Sequence, residues 1–372
     1  MSTRGSAAGS LAARSAAGPD VSLTREEILA WLRETDPRRL EALWRMADET
    51  RHRHVGDQVH LRGLIEISNH CVRLCGYCGL RAGNRELGRY RMTEDEILDC
   101  AAKAAEYGYG TTVLQAGEDY GITREWIVRI VHYIKDEAGM AVTLSLGERP
   151  DDDLVAWREA GADRYLLRFE TSDPELYAVI HPGRGGKPAH PSDRIALLRR
   201  LRELGYEAGS GVMVGIPGQT NEILADDIEL FRSLDLDMIG VGPYIAHPST
   251  PLGDGQWSAG IPETEQVAND ELMVYKVVAL TRLVCPEANI PSTTALATIN
   301  KASGRELGLQ RGANIVMPNL TPPEYRVMYE IYPGKACVNE TAEMCRGCLS
   351  GRIQSIGRRV GDGPGGRRRG GR

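Results

Sequence analysis

The sequence predicts an α/β fold, a (β/α)8 TIM-type barrel with extensions at both ends. Three observations predict it. From Val59 onward, short apolar runs of strand length alternate with amphipathic stretches of helical period, as βα units around a parallel sheet require. Helix ends recur as Glu106-Tyr107-Gly108, Glu159-Ala160-Gly161, Glu203-Leu204-Gly205 and Gln310-Arg311-Gly312, each shortly before a strand. Glycine accepts the left-handed conformation that closes a helix. Polar and reactive side chains also collect directly after the strand-like runs, where a barrel gathers its βα loops.

The strands expected in order lie near 61–68, 111–115, 141–145, 163–168, 209–214, 237–242, 288–293 and 313–317. Helices are expected near 94–107, 123–138, 152–160, 191–204, 221–234, 264–284, 300–309 and 323–331, with Thr93 and Asp153 among the capping residues. Right-handed crossovers leave few other topologies, a six-unit partial barrel being the alternative. The barrel would span 59–332, preceded by a helical extension over 23–58 and followed by a cysteine-containing segment over 333–360.

Residues 1–22 are mostly Ala, Ser, Gly and Arg, a composition that suits a disordered arm; a transit peptide is similar. Residues 361–372 are rich in Gly and Arg and read as a solvated tail. The 372 residues are 42% hydrophobic and 26% charged, with a net charge of −6. That balance gives no reason to expect nucleic acid, and no apolar run is long enough to span a membrane. Eight cysteines without a hydrophobic signal segment argue for a reducing, cytoplasmic setting in which thiols bind metal.

Cys71, Cys75 and Cys78 stand at C-x3-C-x2-C spacing just after the first strand. Three thiolates can hold three irons of a [4Fe-4S] cluster and leave the fourth iron open. A structural zinc site is the competing reading, but it wants four ligands, and His70 abuts Cys71 too closely to fold back easily. A second set, Cys337, Cys345 and Cys348, follows the last strand at C-x7-C-x2-C spacing; a second iron-sulfur cluster and a zinc ion are both compatible with it. Cys100 and Cys285 fall in helical patterns and read as small core residues.

The ordered series CVRLCGYCGLR (71–81), RYRMT (89–93), VLQAGED (113–119), VTLSLGE (142–148), GADRYLLR (161–168), MVGIPGQT (213–220), MPN (317–319) and YPGK (332–335) resembles the HydE family of [FeFe]-hydrogenase maturases, within the radical S-adenosylmethionine (SAM) superfamily. The resemblance runs from about Ile28 to about Arg369 and implies a full barrel with SAM across its top. It implies that Tyr77 lies against adenine, that Gly117 and Glu118 meet the methionyl amine, and that Glu170 and Arg194 hold the cofactor, the arginine through its carboxylate. A mutual Glu170–Arg194 salt bridge is the plainer alternative. Arg168, Thr293, Thr294, Met317 and Tyr329 match positions lining the family's substrate chamber, although for Met317 alone core packing is the better reading, since methionine fills gaps in any barrel. One departure is Ala116, where family members carry serine before the Gly-Glu pair.

By the same resemblance, a 5'-deoxyadenosyl radical would act on a small iron-carbonyl-cyanide-cysteine precursor of the hydrogenase diiron unit. Other hydrogenase maturases and a flavodoxin or ferredoxin reductant would be partners. The alternatives are a methylornithine-synthase-like mutase acting on lysine, and an iron-sulfur or zinc-binding scaffold without turnover. The chain lacks the strand-borne cysteines of biotin synthase, which disfavours sulfur insertion.

Overall fold

The computed structural model describes residues 22–182, 193–255, 257 and 260–367, so nearly all of the N-terminal arm and the last residues of the tail lie outside the described residues. Among the described residues seven parallel strands form the main run of the sheet: β1 (Gln58–Ser68), β2 (Thr111–Ala116), β3 (Ala141–Ser145), β4 (Arg164–Leu166), β5 (Glu207–Val214), β6 (Met238–Pro243) and β7 (Ile315–Val316), in the order β6-β5-β4-β3-β2-β1-β7. This is the expected TIM-type barrel, with one irregular stave. The regular strand expected at 288–293 is replaced by single bridges, Met238 to Asn289 and Pro291 to Ile315. Pro291 has no N–H to give a ladder, so this segment pairs with both neighbours without becoming a strand.

Among the described residues two helices, α1 (Arg25–Leu32) and α2 (Pro37–Val55), precede the barrel. Its first helices are α3 (Glu94–Glu106), α4 (Arg124–Asp136), α5 (Asp151–Glu159), α6 (Pro174–Ile180), α7 (Arg194–Glu203) and α8 (Asn221–Ser233). Then come α9 (Glu271–Val284), α10 (Thr294–Ile299), α11 (Gly304–Gln310), α12 (Pro323–Arg326) and α13 (Ala342–Ser355). The recurring glycines do what their spacing predicts: Gly108, Gly161, Gly205 and Gly312 have φ of 74°, 106°, 85° and 116°. Thr93 caps α3 in a capping box with Glu96.

Asp153 does not cap α5; it lies one turn inside, where it accepts from Arg124 and Arg149. The helix expected from 264 starts only after Asp270, its N-cap, because Gln266 is spent on Gly218 and Ile216. The helix expected over 323–331 ends at Arg326. Every residue from Val274 to Val284 in α9 is buried. A helix buried all round must be covered and its polar groups paired: α2 and α8 pack on it, Lys276 donates to Leu32 O and Arg282 to Gly312 O.

Residues 361–367 correct the expectation of a solvated tail. A short strand, β8 (Arg359–Val360), pairs with the start of β1, and Gly361 N donates to Val59 O. Pro364 O then accepts from Thr111 Oγ1 (3.0 Å) and Arg164 Nη2 (3.3 Å), and Gly365 O from Arg62 Nη2 and Asn289 Nδ2, both at 3.0 Å. Arg367 pairs with Asp235. The tail is therefore a strap across the floor of the barrel, supplying carbonyls to buried guanidinium groups. Among the described residues no helix is long and apolar enough to cross a membrane.

Candidate active site

The loop after β1 carries the first cysteine set and is pinned on several sides. Val72 N donates to Glu118 O, Gly76 N to Ile180 O, Gly79 N to Ile331 O, and Leu252 N to Gly76 O. Arg89 gathers the loop from within, donating to Asn69 O, Leu80 O, Arg81 O and Asn84 O. Small residues let the segments close up: a Cβ on Gly79 would lie 2.1 Å from Glu330 O, and one on Gly117 would lie 2.3 Å from His70 O and 2.9 Å from Cys71 Cβ.

Burial pushes the Cys71, Cys75 and Cys78 thiols up, Cys75 to about 12, and the three act on one another electrostatically. Such thiols stay protonated at neutral pH until a metal displaces their protons.

A cavity of about 330 Å³ lies in the barrel beside this loop. Cys71, Tyr77, Cys78, Gly117 and Glu170 line it, together with all five expected chamber residues, Arg168, Thr293, Thr294, Met317 and Tyr329. Cys75, Glu118 and Arg194 do not line it but sit buried behind the wall. Glu118 is fully engaged: Oε1 accepts from Arg73 and Tyr120, and Oε2 from Glu148 N. Its neighbours Ala116 and Gly117 border the cavity.

The alternative of a Glu170–Arg194 salt bridge is not what the side chains do. Arg168 Nη2 lies 3.0 Å from Glu170 Oε2, whereas Arg194 pairs with Glu148 and donates to Arg168 O. Glu170 holds a left-handed φ of 66°, which costs a non-glycine residue about 1 kcal/mol and is typical of functional sites. Burial raises its carboxyl pKa, opposed by Arg168 and Arg194.

Sequence reasoning missed three charges in this cavity. Glu66, 1% exposed on β1, is ion-paired with Lys335 and accepts from Asn319 Nδ2. Arg62, from the same strand, lines the cavity on the strap's side. A signal existed: two charges stand within the otherwise apolar run 61–67.

In the second set, Cys337, Glu340 and Cys345 bring their ligand atoms within 4.8 Å of one another. Cys348, one turn along α13 and exposed, borders the same side cavity of about 360 Å³. A hydrogen bond from the Cys345 thiol and the nearby Arg305 guanidinium lower the pKa of the Cys337 thiol. Cys100 is buried as expected and donates to Leu320 O, while Cys285 caps α9.

The model of the Radical SAM superfamily matches residues 65–231. The [FeFe] hydrogenase maturase subunit HydE of Thermotoga maritima is 46% identical over 346 residues, covering 93% of this chain and 94% of that protein. The chain belongs to the HydE family. A more distant relative is the 3-methylornithine synthase of Methanosarcina acetivorans, 29% identical over 79% of both chains. Among solved structures, methylornithine synthase (PylB) superposes with a TM-score of 0.74 at 23% identity, covering 94% of this chain and 97% of that one. The maturase HydG of Carboxydothermus hydrogenoformans superposes with 0.75 at 18% identity, covering 94% and 77%. These two likenesses establish the fold. A radical SAM enzyme of the HydE family needs a [4Fe-4S] cluster and SAM, and the donor set fits: three thiols on one pinned loop, Cys71 and Cys78 lining the cavity and Cys75 buried beside them.

Proposed function

We propose that this chain acts in [FeFe]-hydrogenase maturation, on a small iron-carbonyl-cyanide-cysteine precursor of the diiron unit. The observation that carries the reading is identity to a HydE protein along nearly the whole of both chains. Cys71, Cys75 and Cys78 would hold the cluster, and Tyr77, the Gly117-Glu118 backbone, Glu170 and Arg194 would bind SAM. When bound, cluster and SAM supply a 5'-deoxyadenosyl radical.

The chain's own residues contribute binding, shielding and charge. Arg168, Thr293 and Thr294 offer a guanidinium and two hydroxyls at the wall of the cavity, a donor set suited to an anionic cyanide-bearing substrate. Met317 and Tyr329 supply apolar wall, and the strap supports the floor, so water is kept from a reactive intermediate. Glu118 acts indirectly, fixing Arg73 and the 148 backbone. Ala116 leaves that stretch of wall without a hydroxyl.

Cys337, Cys345 and Cys348 would carry a second iron-sulfur cluster, with Glu340 able to replace the distant Cys348 if zinc binds instead. Other maturases, a flavodoxin or ferredoxin reductant and a cytoplasmic setting complete the proposal.

The test is anaerobic turnover of the reconstituted, reduced chain with SAM and the organometallic precursor. The reading expects an adenosylated product and release of the chain's activity into a hydrogenase maturation assay. Formation of methylornithine from lysine would instead favour the mutase reading, which the 29% relative keeps in view.

A further inference from the structure

His181 lies outside every motif that carries the resemblance, yet it joins two parts of the cofactor pocket. It ends α6 as the C-cap, its N donating to Tyr177 O, and it is 7% exposed. Its ring rests on Tyr177 (centroids 4.4 Å apart) and meets Tyr77 edge-on at 5.5 Å. Nε2 stands 3.2 Å from Tyr77 Oη and 3.4 Å from Arg194 Nη1.

An arginine only donates, so Nε2 is the acceptor, and the Tyr77 hydroxyl, which also reaches the Cys75 thiol, can meet that nitrogen only as a donor. The ring proton then sits on Nδ1, which has no partner among the described residues. Burial and the charges of Arg194 and Arg73 keep the imidazole neutral, as this double acceptance requires. Tyr77 belongs to the cysteine loop after β1 and Arg194 to the start of α7, so one nitrogen ties two βα units together.

We propose that His181 is a positioning residue for SAM, its Nε2 holding the Tyr77 ring and the Arg194 guanidinium at the separation that the adenine and the methionyl carboxylate demand. This rests on the reading of Tyr77 and Arg194 given above. His181 touches neither cluster nor SAM; it acts through the two groups that do.

The experiment is a SAM titration of the anaerobically reconstituted chain, read by the change in the electron paramagnetic resonance of the reduced cluster. His181→Phe keeps the stack on Tyr177 but removes the acceptor, and should raise the Kd for SAM roughly tenfold or more, the worth of one or two hydrogen bonds. Cluster iron and melting temperature should stay at the wild-type level. His181→Gln, which restores an acceptor near Nε2, should recover to within about threefold of wild type. In a cycle with Tyr77→Phe, the double variant should be no worse than His181→Phe, since both remove one contact.

A wild-type Kd in His181→Phe, an equally poor Kd in His181→Gln, or strict additivity in the cycle overturns the proposal. Should His181→Phe fail to fold, Tyr77→Phe decides alone: it must weaken SAM binding by a few fold, and an unchanged Kd overturns the proposal. Failure of the wild-type chain itself to respond to SAM would sink the underlying reading, a result distinct from any of these.

Discussion

Gly365 tests whether the C-terminal strap is a structural part of the barrel floor. Its φ is +55°, and a Cβ there would lie 2.4 Å from His60 Cγ. Gly365→Ala therefore forces the strap to move. The left-handed backbone alone costs an alanine about 1 kcal/mol. Displacement also takes Gly365 O from Arg62, a guanidinium 3% exposed whose other hydrogen-bond contact is Met238 Sδ.

Arg62 is already strained: burial and the neighbouring Arg164 bring its pKa down to about 9. Losing an acceptor on a buried charged group costs about 1.5–3 kcal/mol, so the whole substitution should cost about 2.5–4 kcal/mol. Gly363→Ala is the matched control. Its φ is +70° with nothing within 4 Å of an added Cβ, so only the backbone penalty of about 1 kcal/mol applies. Urea denaturation of both variants measures the difference as a shift in midpoint at constant m. Equal shifts for the two would refute the docked strap.

Lys335→Met leaves Glu66, 1% exposed, without its cation and should destabilise the chain by about 3–5 kcal/mol, most of which Glu66→Gln in the same chain should restore. A single variant as stable as wild type in equilibrium denaturation would deny the ion pair. Burial raises the Asp227 carboxyl from 3.8 to about 7. The folded chain then keeps a proton that the unfolded chain releases, so this contribution is full below about pH 4 and is lost as pH rises to about 7, with a slope of at most about 1.4 kcal/mol per pH unit. Asp227→Asn should remove the slope, and identical pH profiles for the two proteins would contradict it. Truncation after Val360 should lower stability at least as far as Gly365→Ala, read in the same urea experiment; a truncated chain of wild-type stability would mean that the strap contributes nothing.

What was legible in the sequence was local. The helix-closing glycines 108, 161, 205 and 312 needed only a position and a backbone sign, and the Thr93 cap only its own turn. What was not legible depended on partners far along the chain. Pro291 breaks a ladder whose other side lies at Met238 and Ile315, so composition alone suggested a full strand. The tail looked solvated because glycine and arginine usually are, yet these glycines fit against His60 and Gly110, and Arg367 meets Asp235.

At the site, the thiol triplet and chamber residues announced themselves by motif, whereas side-chain pairing did not. Glu170 meets Arg168 and not Arg194, because Arg194 is already taken by Glu148 and Arg168 O. Glu66 and Lys335 find each other across 269 positions, and no local pattern reports that.

The most direct test is to reconstitute the chain anaerobically with iron and sulfide, reduce it, and add SAM while recording the electron paramagnetic resonance spectrum. A [4Fe-4S] signal should appear, change on addition of SAM, and be lost in Cys71→Ala, Cys75→Ala and Cys78→Ala chains. A zinc-bound, spectroscopically silent triplet, or a cluster signal indifferent to SAM, would contradict that expectation.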